Sequence, residues 1–180
     1  MSPVRINSRS GRTFTGFSLV ELMVVVMVIL VIAAIAIPSF VQARMKANEA
    51  SAVSSLNVIR TAEMMYSSAY PEEGFAPTLA VLGSGGGSGT ASNNCQHPTK
   101  DAACLIVDDE LASGIKNGYS FDIKTNGIHP ANDFTATAVP QASGLSGRCS
   151  FALGASADVG IVTPDGSLGH FQMSNGGCGP

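Results

Sequence analysis

Gly16-Phe17-Ser18-Leu19-Val20-Glu21 opens an apolar run that continues to Ile37, and Glu21 is the only charged side chain between Arg12 and Arg44. The run is apolar on every face of a helix, being mainly Val, Ile, Leu, Met and Ala. A helix of that kind is buried in lipid or in a protein core. Counted from Phe17, the stretch reaches the ~20 residues that cross a bilayer. A carboxylate inside it is costly, roughly 2.5–3.5 kcal/mol at mid-bilayer on insertion scales. Such a group requires a partner. A cut after Gly16 supplies one, because the new amine of Phe17 is a cation at the depth of Glu21.

The flank before the run supports a cut there. Residues 1–16 carry Arg5, Arg9 and Arg12 and no acid, and they are rich in Ser, Gly and Thr. A basic leader ahead of an apolar segment is a targeting signal and lies outside the fold. Its charge holds it in the cytoplasm. In an ordinary secretory signal the apolar run precedes the cut; here it stays in the mature chain. The competing reading is ordinary cleavage after Ala36 of Ala34-Ile35-Ala36, which releases a soluble protein but leaves Glu21 unexplained.

These residues resemble the type IV pilin and pseudopilin family. The likeness rests on Gly16, Phe17, Glu21, the apolar run of residues 22–37, and Pro38 midway along a long helix. It covers about the first third of the chain; the rest is similar only in layout. The resemblance implies that a prepilin peptidase cuts after Gly16 and methylates the amine of Phe17. It implies that Glu21 is the assembly carboxylate. It further implies an α+β fold, with the long helix packed on a small antiparallel sheet.

Beyond the apolar run, residues 44–70 read as an amphipathic half of the same helix. Ala52, Leu56, Ile59, Ala62, Tyr66 and Ala69 recur at spacings of three and four, with Arg60, Glu63 and Ser67 beside or opposite that stripe. Pro38 is expected to kink the helix rather than end it, since helical sequence resumes at once. Pro71 is expected to stop it. The five expected segments are a leader (1–16), the membrane and assembly half of the helix (17–43), the amphipathic half (44–70), a connecting region (71–117) and a disulfide-closed sheet region (118–180).

In the connecting region, residues 77–82 and 108–113 suggest short helices. The glycine-rich residues 83–89 form a low-complexity loop. It lacks the Lys-Ser/Thr of a phosphate-binding loop. Strand signals follow at residues 119–123, 134–139, 149–153, 160–163 and 168–173. Asn126-Gly127 and Asp165-Gly166 read as tight turns. The expected result is an antiparallel meander with one face on the amphipathic half of the helix.

Cys95, Cys104, Cys149 and Cys178 all lie beyond the apolar run, and an even count in an exported region reads as two disulfides. Of the three possible pairings, Cys95–Cys104 and Cys149–Cys178 are expected, because they staple two separate loops. Zinc is disfavoured: there is no Cys-x-x-Cys pair, and His97, His129 and His170 are scattered.

The whole chain holds 10 basic and 13 acidic residues. Without the three leader arginines the balance is 7 against 13, a net charge of −6. That balance does not suggest a nucleic-acid surface, which requires clustered cations. No Ser-His-Asp set, HExxH helix or dinucleotide fingerprint appears. Asp108, Asp109 and Glu110, with Asp158 or Asp165, are weak calcium candidates, and an acidic helix start is the commoner explanation. Phe17, Phe40, Tyr66 and Tyr70 are read as packing residues rather than as an electron path.

The expected function is therefore structural and not enzymatic, with no cofactor. A single-pass inner-membrane precursor is cleaved, N-methylated and polymerised through its N-terminal helix into a pilus filament. Its expected partners are copies of itself, the prepilin peptidase and the inner-membrane assembly platform. The alternatives are a pseudopilin of a type II secretion system and a tethered or secreted binding domain that does not polymerise.

Overall fold

The computed structural model describes residues 16–84, 95, 97–156 and 159–162, and the backbone of 168–170. Two compact units divide the chain between Phe40 and Val41. One continuous helix, α1 (Leu19–Ala69), contributes to both and contains Pro38. Proline therefore does not terminate it. The helix ends where Pro71 cannot continue it, and the amide of Tyr70 still donates to the carbonyl of Tyr66 at 2.8 Å.

In the second unit, α1 supplies one wall of the core. Ala52, Leu56, Ile59, Ala62 and Tyr66 are buried, as their spacing predicts, whereas Ala69 is exposed. Glu63 departs from expectation: it lies inside the core with Ser55, not beside or opposite the stripe. Its position explains this. Leu56, Ile59, Glu63 and Tyr66 follow the same three-and-four spacing, so helix geometry puts the carboxylate on the inward face.

Two short helices, α2 (Leu79–Leu82) and α3 (Asp109–Ala112), lie in the connecting region. The carbonyls of Val81, Leu82 and Gly83 accept from the amides of Ala103, Leu105 and Cys104 at 2.7–2.9 Å, which straps the segment after the disulfide to α2. Cys95 and Cys104 are joined, with their Cα atoms 5.6 Å apart. Cys178 lies outside the described residues, so the expected Cys149–Cys178 pair does too; no described cysteine is free. The glycine-rich loop from residue 85 onward lies outside them as well.

The sheet is an antiparallel meander of six strands in sequence order: β1 (Ile115–Lys116), β2 (Tyr119–Thr125), β3 (Phe134–Pro140), β4 (Ser150–Gly154), β5 (Gly160–Val162) and β6 (Leu168–His170). β1 precedes the region expected to begin the sheet. Register sets Phe121 opposite Ala138 and Ala138 opposite Phe151; Ile123, Ala136 and Leu153 form the next row. These residues are buried, while Ser120, Asp122 and Lys124 on the other face are exposed. Small Ala136 and Ala138 between larger neighbours let the row interdigitate. The fold is thus α+β, a long N-terminal helix packed through its second half on a small antiparallel sheet.

The expected tight turn at Asn126-Gly127 is instead the start of an eight-residue connection between β2 and β3. Gly127 adopts φ +71, and Asn126 is hydrogen-bonded across the loop to Asn132. The loop opens because Ala131 pairs elsewhere. Its amide donates to the Glu73 carbonyl at 3.0 Å, and its carbonyl accepts from the Phe75 amide at 3.1 Å. Asp165-Gly166 lies outside the described residues.

Candidate functional site

Glu21 sits in the first turn of α1. Free amide N–H groups and the positive end of the helix dipole favour a carboxylate there. Ser18 and Glu21 also have the spacing of a helix capping box, a signal the sequence carries in addition to the charge. Phe17 is 83% exposed, and the apolar side chains from Leu19 to Ile32 are all exposed by about half or more. Among the described residues this is the one helix long and apolar enough to cross a membrane. It is a bare surface far larger than the few hundred Å² that monomeric proteins tolerate.

The outward face of α1 in the second unit is also unusual. Ala47, Ala50, Ser54, Val58, Thr61 and Met65 recur along it at spacings of three and four and are exposed. None is charged. Small and apolar residues at that period allow another surface to approach the helix backbone closely.

Glu63 contributes the other unusual carboxylate. Its Oε2 accepts from the amide of Ala76 at 2.8 Å. Its Oε1 is buried and has no hydrogen-bond partner. Desolvation raises its pKa to about 7, opposed by the Ala76 hydrogen bond. A buried carboxylate with one orphan oxygen favours its protonated form. Among the described residues it belongs to no group of three acidic, histidine or cysteine side chains that could hold a metal ion, and its protonation enters the folding equilibrium.

A cavity of about 160 Å³ is lined in part by Tyr66, Glu73, Lys100 and His129. The Lys100 ammonium lies 2.7 Å from Glu73 Oε1, and His129 Nε2 lies 3.6 Å from Oε2. The lysine hydrogen bond holds the Glu73 carboxyl below its ordinary range. The phenol of Tyr66 donates to the carbonyl of Lys100 at 2.8 Å. These bonds join the end of α1 to two loops. Tyr66 and Tyr70 pack with ring centroids 5.0 Å apart.

Of the weak calcium candidates, Asp108 has other partners. Asp108 Oδ1 caps α3, accepting from the amides of Glu110 and Leu111 at 3.0 and 3.3 Å. Its Oδ2 lies 2.6 Å from the Lys116 ammonium. Asp109 is in the first turn of α3. Among the described residues no three acidic, histidine or cysteine side chains converge on one point. Asp158 and Asp165 lie outside them.

Sequence reasoning singled out Gly16, Phe17, Glu21 and Pro38 as the processing and assembly residues; it missed the burial of Glu63 and the uncharged outer face. Compared with family models, with curated proteins and with solved structures, the chain shows no significant match.

Proposed function

We propose that the chain is a type IV pilin-like structural subunit, cleaved after Gly16, N-methylated on Phe17 and polymerised through α1. The observation that carries this reading is the bare, all-round apolar start of α1, with one carboxylate in its first turn directly after Gly16-Phe17. Before assembly the bilayer covers that stretch. In a filament, like helices cover it. Exchange between two apolar surroundings is nearly neutral in hydrophobic energy, so packing and polar contacts select the incoming subunit. The ion pair between Glu21 and a neighbour's Phe17 amine is one such contact. The uncharged outer face of residues 47–65 extends the packing surface. Heterologous contacts that do not close produce an open filament. The subunit is non-enzymatic, and its partners are its own copies, the prepilin peptidase and the assembly platform. It passes from the inner membrane to an extracellular filament.

Intact mass of the protein from sheared cell-surface material tests this directly. The expected species begins at Phe17 with one added methyl group. Gly16→Val leaves uncut precursor in the membrane. Glu21→Val is inserted and cleaved but enters filaments poorly. A mature N-terminus at Ile37 overturns the reading in favour of ordinary secretion. Loss of exported enzymes without loss of filaments on deletion assigns the chain to a type II secretion system instead.

A further inference from the structure

Within the second unit, a cleft of about 340 Å³ opens between the first turns of α1 there and two loops. Arg44 and Asn48 line it from the helix, Asn117 and Gly118 from the β1–β2 turn, and Leu145 and Ser146 from the loop after β3. The loops are fixed in place. Asn48 Nδ2 donates to the Ser146 carbonyl at 2.8 Å, and Asn117 Nδ2 donates to Ser51 Oγ at 2.8 Å. Gly118 has φ +75, and a Cβ there would stand 2.7 Å from that of Ser146. The cleft is therefore preformed rather than a gap between mobile loops.

Its chemistry is cationic. Arg44 is the only charged residue lining it. The nearby Glu49 directs Oε1 to the backbone amide of Arg148 at 2.8 Å. Each carboxamide has a second N–H beyond the bond already made. A guanidinium with amide donors beside it matches the oxygens of a phosphate.

Position selects the form of phosphate. Arg44 is the first charge after the apolar run, four residues beyond Phe40 on one helix. Residues 19–40 span about 33 Å at 1.5 Å per residue, which matches a hydrocarbon core of roughly 30 Å. Arg44 then falls at headgroup level. Leu145, 70% exposed, gives the cleft an apolar rim. We propose that this cleft binds the phosphate of an anionic phospholipid headgroup, with Arg44 as its ion-pair partner. The proposal rests on the reading that the apolar run lies in lipid.

The test is reconstitution of the full chain in discs of phosphatidylcholine with and without phosphatidylglycerol, followed by native mass spectrometry of the lipid retained. Phosphatidylglycerol is expected to be retained over phosphatidylcholine by more than the roughly five-fold that one basic residue near a membrane surface confers through diffuse attraction alone. Arg44→Gln abolishes that preference, while Lys46→Gln, the same charge change outside the cleft, keeps it. Leu145→Ser lowers retention of both lipids. Equal loss in Arg44→Gln and Lys46→Gln overturns the site in favour of diffuse attraction. Displacement of the lipid by millimolar inorganic phosphate overturns the lipid assignment. Equal entry into both discs with no lipid preference removes this proposal alone. Failure to enter either disc removes the membrane reading as well.

Discussion

The two stretches of α1 reverse the usual relation between polarity and burial. From Leu19 to Ile32 the helix is apolar and exposed; from Ala52 to Tyr66 it is mixed in sequence and its inward face is buried, Glu63 included. A large greasy surface left bare signals an outside partner. A carboxylate placed in a core signals a stability cost that the rest of that core offsets. The first stretch is therefore shaped by what it will meet and the second by what it already touches. Composition alone does not separate them. What does is the presence of a three-and-four stripe in one and apolar residues at every position in the other.

The comparison predicts unequal effects of the same mutation. Leu56 is fully buried, so Leu56→Ala is expected to cost about 2–5 kcal/mol of unfolding free energy. Leu30 is 64% exposed, so Leu30→Ala should leave unfolding within roughly 0.5 kcal/mol of the parent. Urea unfolding in mild detergent, followed by circular dichroism, measures both. Equal losses would show that the bare stretch belongs to the same cooperative core.

The next effect concerns Glu63. Its folded pKa, about 7, lies above the ordinary 4.5. The folded state therefore keeps a proton that the unfolded state has released between those values, and stability falls as pH rises from 4.5 to 7. The contribution is fully present below 4.5 and lost above 7. A shift of that size corresponds to roughly 3 kcal/mol as an upper figure. Glu63→Gln keeps an acceptor for the Ala76 amide and removes the charge. It should flatten the slope in this window and raise stability at pH 8. An unchanged slope in Glu63→Gln would show that other groups set the pH dependence.

Most of the fold was legible because it depends on period and punctuation. The stripe of α1, the stop at Pro71, both short helices and β2 to β5 follow from local residues. The misses have non-local causes. Glu63 was in register with Leu56, Ile59 and Tyr66, but its amide partner, Ala76, arrives from beyond the end of the helix. Asn126-Gly127 had the right residues for a tight turn, yet pairing of Ala131 with Glu73 and Phe75 drew the loop open. At the candidate site, charge and position pointed to Glu21 and Gly16. The uncharged outer face was missed because Arg60, Glu63 and Ser67 were set beside or opposite the stripe, whereas Glu63 is buried and Arg60 and Ser67 are half-buried.

The smallest effect is expected at Asp108, whose carboxylate behaves oppositely to Glu63. The Lys116 hydrogen bond lowers its pKa from the ordinary 3.8, aided by the amides of Leu111 and Glu110 and opposed by partial burial. A depressed carboxylate contributes stability above its unfolded value, and that contribution is lost as pH falls through the folded one. Asp108→Ala removes both the cap of α3 and the ion pair. The cap is worth about 1 kcal/mol. The pair is partly exposed, and surface pairs contribute roughly 0–1 kcal/mol. Asp108→Asn separates the two, since its amide oxygen still caps the helix while its charge is gone. At pH 7 the asparagine variant should lose only a few tenths of a kcal/mol, as expected for a surface pair, and the alanine variant about 1 kcal/mol more. Salt should narrow the gap between parent and Asp108→Asn while leaving the alanine deficit in place. If both variants lose the same amount, the contact with Lys116, rather than the cap, holds α3, and the carboxylate acts chiefly through charge.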